Sequence, residues 1–532
     1  MKNGIRFGNK ELYFFSLCII AAGLPLSKAG ISIGEILLAI SWLWGGNFRL
    51  RIQSFFKNKT ALIISSLFLL HLLGLIYTSD FDYAFKDLRI KFPLLLLPFI
   101  ISTSEQLDNK KFHALILVTI ISAFISTLFS MYNYFTMQFS DIRDICVFVS
   151  HIRLSLLICF SVFSLLYFIF KTNHKRYIKI LFALLVIWFV IFLIILESFT
   201  GLIILFICFL ILLIIQVFRE RRTFLKVGIV FIIILIPTIL FFYINSFYKT
   251  YFTKPVIKEK HLELYTLSGN RYDHDTLSND VENGYYVWIY ICEPEIRKEW
   301  NKRSNYKYDE TDKKGQGIKY TLRRFLTSKG LRKDSVGVSM LTDTEVNAVE
   351  NGIADVNLLQ LHSLESRIYE TLWEIENYRE TNDPNGHSLL QRYEYWKVSL
   401  LIIEKNYLIG VGTGDMNEAF EKQYEDMQTR LDEKWRLRSH NQFLSIAVGF
   451  GIIGFLWFLL VILFPIFIKK YRTNFFYLIF FLIIFISMFT EDTIESQIGL
   501  TLYAFFNSLL LFGRKFNDEV MNEKHNEILE KS

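Results

Sequence analysis

The dominant pattern along the chain is a series of uncharged apolar runs separated by short polar segments. The runs at 183–196, 201–218 and 227–244 contain no charged residue. About 18 consecutive apolar residues are enough for a helix that crosses a bilayer. The pattern therefore predicts an all-α polytopic membrane protein with about twelve transmembrane helices. The predicted spans are centred near 12–27, 30–46, 60–77, 92–103, 112–136, 150–170, 179–196, 200–218, 227–246, 441–468, 475–490 and 495–513.

The charged residues between these runs predict the orientation of the chain. Lysine and arginine in short loops mark the cytoplasmic side of a membrane protein. Basic loops lie at 49–59, 110–111, 171–179, 219–226, 469–472 and 514–515. The alternate turns near 197–199 and 490–496 are neutral or acidic. We therefore expect both termini to be cytoplasmic.

A large polar insertion separates the ninth span from the tenth, and the orientation puts it outside. It is too long for an ordinary connection and long enough for a small domain. Apolar positions at helical spacing predict helices over 362–380 and 388–406, separated by the breaker "NDPNG". The predicted domains are spans one to nine (1–247), a mainly helical external loop domain (248–437), spans ten to twelve (438–515) and a cytoplasmic tail (516–532).

Charge distribution and cysteine spacing argue against nucleic-acid binding, a disulfide framework and a zinc site. The chain is 52% hydrophobic and carries a formal net charge of +7. Since the basic residues lie in loops that flank membrane helices, the charge does not indicate nucleic-acid binding. The five cysteines show no paired spacing, so we expect neither a disulfide framework nor a zinc site.

The segment "RLRSHNQFLSIAVGFGIIG" places His440 at the predicted membrane–water interface, just before the tenth span. A histidine outside the membrane titrates near neutrality and can serve as a general base. Alternatively, Ser439 and Asn441 cap the tenth span and His440 has no chemical role. Sequence chemistry alone leaves both interpretations open.

The segment "QRYEYW" places Arg392, Tyr395 and Trp396 on one helical face. The planar fork of an arginine suits two phosphate oxygens. The alternative is a solvated arginine stacked on Trp396. "SHIRLS" similarly puts His151 and Arg153 at the outer end of the sixth span, either as an anion site or as groups that reach toward lipid headgroups.

Three other segments also allow two interpretations. The acidic turn "TEDTIESQ" (490–497) either follows the charge rule or pairs with the external arginines. "GVGTGD" (410–415) lacks the GK[ST] ending of a phosphate loop, so a tight turn with positive φ at Gly412 or Gly414 is the simpler explanation. "RRFLTSKGLRKD" (323–334) is either a solvated surface or a contact for phosphorylated lipid or glycolipid.

The order of these motifs resembles the O-antigen ligase and O-antigen polymerase superfamily. An arginine and aromatic helix is followed by "NYLIGVGTGD", by "FEKQYEDM" and then by "RSHNQFLSIAVGFGIIG", which opens a membrane span. "FTEDTIESQIGLTLYAFF", "ENGYYVWIY", "TSKGLRKD" and "NGHSLLQR" are similar to ligase-like proteins of Bacteroidetes. The resemblance covers most of the chain from residue 250 onward.

The resemblance implies a metal-independent glycosyltransferase without a cofactor, at the periplasmic face of the bacterial inner membrane. Such enzymes act in lipopolysaccharide biosynthesis and transfer a glycan from undecaprenyl diphosphate to lipid A–core or a similar acceptor. His440 matches the family histidine that acts as base or orients the acceptor hydroxyl. Arg392 matches the external-loop arginine that holds the donor diphosphate. The candidate substrate-binding residues are Arg153, Arg438, His151, Tyr395 and Trp396.

One position departs from the family pattern. Phe199 occupies the place of an arginine that many members carry before the eighth span. Either Arg153 or Arg438 would then supply the second positive charge, and we favour Arg153.

Two other functions remain as alternatives. A polysaccharide polymerase would use a second undecaprenyl-linked unit as acceptor. A transporter of lipid-linked sugars would place charges near the bilayer midplane, whereas these spans are nearly free of charge. His71 in the third span is an exception, and we expect it to be a packed residue.

Overall fold

The computed structural model describes residues 8–137, 139, 141–252, 262–278, 280–359 and 364–515, and most of them are helical. The helices of the first half are α1 (Asn9–Leu26), α2 (Lys28–Trp44), α3 (Phe48–Lys57), α4 (Lys59–Leu73), α5 (Phe81–Lys91), α6 (Pro93–Thr103), α7 (Asn109–Thr136), α8 (His151–Lys171), α9 (Arg176–Ile195), α10 (Phe199–Arg219) and α11 (Thr223–Phe252).

The second half begins with a short antiparallel pair of strands, β1 (Val281–Glu282) and β2 (Tyr285–Tyr286). The helices that follow are α12 (Glu293–Arg303), α13 (Ile318–Ser328), α14 (Ser335–Ser339), α15 (Asp343–Glu350), α16 (Leu364–Thr381), α17 (Ser388–Lys405), α18 (Met416–Asp426), α19 (Gln442–Phe467), α20 (Lys469–Arg472), α21 (Phe475–Ser487) and α22 (Gln497–Phe512).

Seven helical segments among the described residues are long and apolar enough to cross a membrane. They are Lys59–Tyr77, Asn109–Thr136, His151–Lys171, Arg176–Ile195, Phe199–Arg219, Thr223–Lys249 and Gln442–Phe467. The pair α2 and α3, bent by 114°, makes an eighth if it is counted as one span. The prediction of a mainly helical membrane protein is therefore confirmed.

Helices also occupy the five remaining predicted spans, as α1, α2, α6, α21 and α22. Each is too short or insufficiently apolar to meet the same requirement, so the number twelve stays a prediction. In α22 every residue from Ile498 to Phe512 is buried. A helix that is apolar on all sides and enclosed by protein need not match the bilayer thickness.

The chain divides into two compact units. The described parts of Met1–Leu212 and Asp383–Ser532 form the first, here called the membrane unit, and Leu213–Asn382 forms the second. The predicted helices at 362–380 and 388–406 are confirmed as α16 and α17. The unit boundary falls between them, so α17 belongs with the membrane helices. The external position of 248–437 stays a prediction.

The second unit has its own apolar core, built around Trp300, Phe325 and neighbouring side chains of α12 to α15. Within this unit the basic segment 323–334 is largely engaged in internal contacts. Arg323 pairs with Glu293, and Arg324 pairs with Glu282. The segment therefore contributes mostly to the structure of its own domain rather than to a free basic surface.

Candidate active site

A buried carboxylate, that of Glu491, lies on the turn between α21 and α22, and its side chain is only 3% exposed. Arg392 on α17 donates from Nη2 to Oε1 at 2.8 Å. Arg153 on α8 donates from Nη1 to Oε2 at 3.4 Å. His440, just before α19, places Nδ1 3.8 Å from Oε2. The fold thus gathers three predicted site residues, distant in sequence, around one carboxylate.

The charge on Glu491 depends on these neighbours. Burial alone would raise the pKa of the Glu491 carboxyl, but the adjacent His440 imidazole and the charges of Arg392 and Arg153 outweigh burial and lower it below its ordinary value. The carboxylate is therefore ionised at neutral pH. A buried anion of this kind is tolerated only because its partners compensate it.

The start of α19 is capped by Asn441. Its side-chain Oδ1 accepts hydrogen bonds from the backbone N–H of Phe443 at 3.0 Å and of Leu444 at 3.2 Å. The Ser439 hydroxyl instead donates to Asp492 Oδ1 at 3.2 Å. The cap predicted from sequence exists, but Asn441 provides it and Ser439 binds the acidic turn.

His440 has an unusual backbone conformation. Its φ of +46° lies in the left-handed region, which is costly for a residue other than glycine and is concentrated at functional sites. Its N–H donates to Asp492 Oδ2 at 3.2 Å. The imidazole stacks on Tyr395 with ring centroids 5.6 Å apart, and the side chain remains 34% exposed. The ring is therefore held in place yet accessible.

Tyr395 packs against the imidazole of His440 and is itself fixed by a hydrogen bond. The tyrosine side chain is buried, and its hydroxyl donates to the Trp435 carbonyl at 2.7 Å. Trp396 is partly buried and packs against the apolar cluster that contains Tyr395. Its Nε1 has no hydrogen-bond partner among the described residues. Direct substrate contact by Tyr395 and Trp396 stays a prediction.

The other predicted residues lie around the same turn. Arg153 also donates from Nη2 to the Asp492 carbonyl at 3.2 Å, so this guanidinium points into the protein. His151 is the first residue of α8 and is half-buried. On α8, Ser155 Oγ lies 2.7 Å from Ser198 Oγ, the residue before Phe199. The short turn at Phe199 therefore lies next to the helix that carries Arg153.

A second group of charges lies buried beside this cluster. Arg438 and the acidic turn that contains Glu495 are among the candidates predicted from sequence, whereas Lys91 and Asp87 are not. The Glu495 carboxylate accepts from Lys91 Nζ at 2.7 Å, and Lys91 also donates to the Ile494 carbonyl at 2.7 Å. Arg438 places Nη1 3.9 Å from Glu495 Oε2. Lys91 is fully buried. These contacts hold the 491–496 turn against Lys91 of α5 and against Arg438 before α19.

The same group extends to His71 through Asp87. His71 is buried against Phe450, as expected for a packed residue, but its Nδ1 also lies 3.3 Å from Asp87 Oδ2. Asp87 Oδ1 lies 3.9 Å from Lys91. In the sequence, Asp87 and Lys91 form a pair of opposite charges at i and i+4 directly before the apolar run at 92–103, and this spacing could have predicted the contact.

We expect Lys91→Met to lower the free energy of unfolding by about 3 kcal/mol, because it removes the buried cation that contacts both buried carboxylates, Glu495 and Asp87. Thermal or denaturant unfolding in detergent micelles measures this loss. Lys86→Met is the matched control, since Lys86 lies on the same helix and is exposed. Equal stability of the two variants would contradict an anchoring role for Lys91.

The glycine-rich segment "GVGTGD" is a structural turn. Gly412 has a φ of +94°, as predicted, whereas Gly414 does not have a positive φ. A side chain at 414 would instead place its Cβ 2.0 Å from the Asp80 carbonyl oxygen. Asp415 accepts hydrogen bonds from the backbone N–H of Ser79 at 2.9 Å and of Asp80 at 2.8 Å. The segment thus docks onto the loop between α4 and α5.

Two comparisons with known proteins give matches to parts of the chain. Residues 348–459 match a family model described as O-antigen ligase, and this range includes Arg392 and His440. A stretch of 113 residues, or 21% of the chain, is 32% identical to an uncharacterized protein of Haemophilus influenzae (strain ATCC 51907 / DSM 11121 / KW20 / Rd). The match spans 28% of the length of that relative.

Proposed function

We propose that the chain, of which residues 348–459 match the O-antigen ligase family model, transfers a glycan from undecaprenyl diphosphate to lipid A–core or a similar acceptor. The reaction would take place at the periplasmic face of the bacterial inner membrane. The observation that carries this proposal is the convergence of Arg392, Arg153 and His440 on the buried carboxylate of Glu491. Such a cluster combines anion-binding groups with a base beside membrane helices.

The arginines are proposed to hold the donor diphosphate without a metal. Arg392 uses one nitrogen for Glu491 and its side chain is still 27% exposed, so it retains donors for phosphate oxygens. Ser155, on the same helix as Arg153, contacts Ser198 beside Phe199, and Arg153 is proposed to replace the arginine that the family pattern places there. Positive charge fixed before the reaction stabilises the diphosphate as it leaves.

His440 is proposed as the general base. With Nδ1 directed at Glu491, its Nε2 is left to take the proton of an acceptor hydroxyl. The freed oxygen attacks the anomeric carbon of the donor sugar, and the bond from that carbon to the diphosphate oxygen breaks with its electron pair. The Glu491 carboxylate stabilises the imidazolium, as an acidic residue does in other histidine-based sites.

The acceptor distinguishes a ligase from a polymerase. Proteoliposomes that contain the full chain would receive a synthetic undecaprenyl-diphosphate oligosaccharide together with lipid A–core. A glycan linked to lipid A–core is the expected product. Elongation of the lipid-linked glycan alone would assign the polymerase reaction instead. Transbilayer movement of the donor without a new glycosidic bond would overturn both and favour a transporter.

A further inference from the structure

A polar cavity of about 360 Å³ lies elsewhere in the membrane unit and shares no residue with the Glu491 cluster. It is formed where the start of α1 meets the bend between α2 and α3, the loop 104–108 and the start of α7. The sequence predicts that these loops are cytoplasmic. The cavity thus lies at the end of the helices opposite to the predicted outer face.

Backbone contacts fix the walls of this cavity. Leu107 donates its N–H to the Gly513 carbonyl at 2.7 Å, and the Lys515 N–H donates to the Leu107 carbonyl at 3.3 Å. The Asp108 carboxylate accepts from the Lys111 N–H at 2.8 Å and so caps α7. The chain after α22 is therefore joined by hydrogen bonds to the loop that precedes α7, and both line the cavity.

On one wall of the cavity, Gly45 leaves space for the guanidinium of Arg51. Arg51 donates from Nη1 to the Trp42 carbonyl at 2.8 Å. A Cβ at Gly45 would lie 2.1 Å from Arg51 Nη2 and 2.7 Å from Asn9 Nδ2. Any larger residue at position 45 would displace the guanidinium and the amide from the positions at which they line the cavity.

The lining carries an excess of positive charge. The cations are Lys10, Arg51, Lys111 and Lys515, and the carboxylates are Glu105 and Asp108. Glu105 is paired with Lys10 at 2.8 Å, and Asp108 caps a helix. The charges of Arg51, Lys111 and Lys515 therefore exceed the negative charge within the cavity.

Two buried polar atoms in the lining have no hydrogen-bond partner among the described residues: the hydroxyl oxygen of Tyr13 and the side-chain oxygen of Asn9. Tyr13 is only 7% exposed. Buried polar groups are nearly always paired, so both atoms are open to a partner that is not among the described residues. The tyrosine hydroxyl can donate to a phosphate oxygen, and the asparagine oxygen can accept from a hydroxyl group.

We propose that this cavity binds a phosphate group, carried by the hydroxyl-bearing headgroup of an anionic phospholipid. The cations attract the phosphate, Tyr13 donates to it, and Asn9 accepts from the headgroup hydroxyl. Basic cavities among membrane helices on the cytoplasmic side commonly bind such headgroups. This inference does not depend on the glycan-transfer reaction.

The test uses the full chain in nanodiscs of phosphatidylcholine. Short-chain phosphatidylglycerol and, separately, inorganic phosphate are titrated, and Kd is obtained from the shift in thermal unfolding midpoint. For phosphatidylglycerol we expect Lys111→Gln to raise Kd about tenfold and Tyr13→Phe to raise it about threefold. Lys110→Gln, which removes the same charge from the adjacent exposed position, should leave Kd unchanged.

Each outcome decides the proposal. Tighter binding of phosphatidylglycerol than of phosphate supports a lipid headgroup, and equal binding supports a site for the phosphate group alone. Absence of saturable binding by either probe would overturn the site, as would equal weakening by Lys110→Gln and Lys111→Gln. Because Tyr13→Phe removes a single unpaired oxygen, it should preserve the fold even if a charge substitution does not.

Discussion

Substitution of His440 by asparagine should reduce glycan transfer by about 10²–10⁴-fold while the protein remains folded. The loss is the usual contribution of a general base. Asparagine is the appropriate replacement because it tolerates the left-handed backbone found at this position, where φ is +46°. It also keeps the backbone N–H that donates to Asp492. The initial rate of product formation in the proteoliposome assay measures the effect.

The matched control for this variant is His387→Gln, which removes a histidine just before α17. It should retain transfer close to that of the unchanged protein. If His440→Asn also retains normal transfer, His440 is not the base, and the capping interpretation of this segment is restored.

Arg392→Gln should lower kcat/KM by about 10²–10³-fold, because it removes the more exposed of the two arginines on Glu491 and with it the proposed contact to the donor diphosphate. Arg153→Ala should act mainly on donor KM. Steady-state rates at varied donor concentration separate these effects. Lys397→Gln, an exposed cation on the same helix, is the control and should leave both parameters unchanged.

A second variant distinguishes donor binding from simple loss of an ion pair. Arg392→Gln leaves Glu491 with one fewer counter-charge, which itself destabilises the site. Adding Glu491→Gln removes that buried charge and should recover thermal stability without recovering transfer. Recovery of transfer in the double variant would show that Arg392 only neutralises Glu491 and does not act on the donor.

The membrane helices were predictable because their signal is local. An apolar run of sufficient length predicts a helix whatever surrounds it, and α7 to α11 and α19 all lie within or close to the predicted limits. Whether such a helix faces lipid or protein is not local. Both α22, which is buried from Ile498 to Phe512, and α11, which is largely exposed, are apolar, so apolar composition alone does not distinguish a buried core helix from a membrane-facing one.

The site was predictable only in its parts. Arg392 and His440 could be proposed as site residues from their side-chain chemistry and from the family resemblance. For the acidic turn 490–497 the sequence allows two interpretations, an ordinary charged turn or a partner for the arginines. The structure favours the second interpretation, because Glu491 contacts both Arg153 and Arg392. The role of Lys91 is not predictable from sequence, because its partner Glu495 lies far away in the chain.

The sequence by itself determined the helical membrane class, the α16 and α17 helices and the residue types able to bind a diphosphate or accept a proton. Periodicity, charge and side-chain chemistry are properties of single residues and their neighbours in the chain, so they do not depend on the folded structure. Only the tertiary structure decided that α8, α17, the residue before α19 and the 491–496 turn meet at one carboxylate. That meeting depends on helix packing, which places a buried anion where its cations can compensate it.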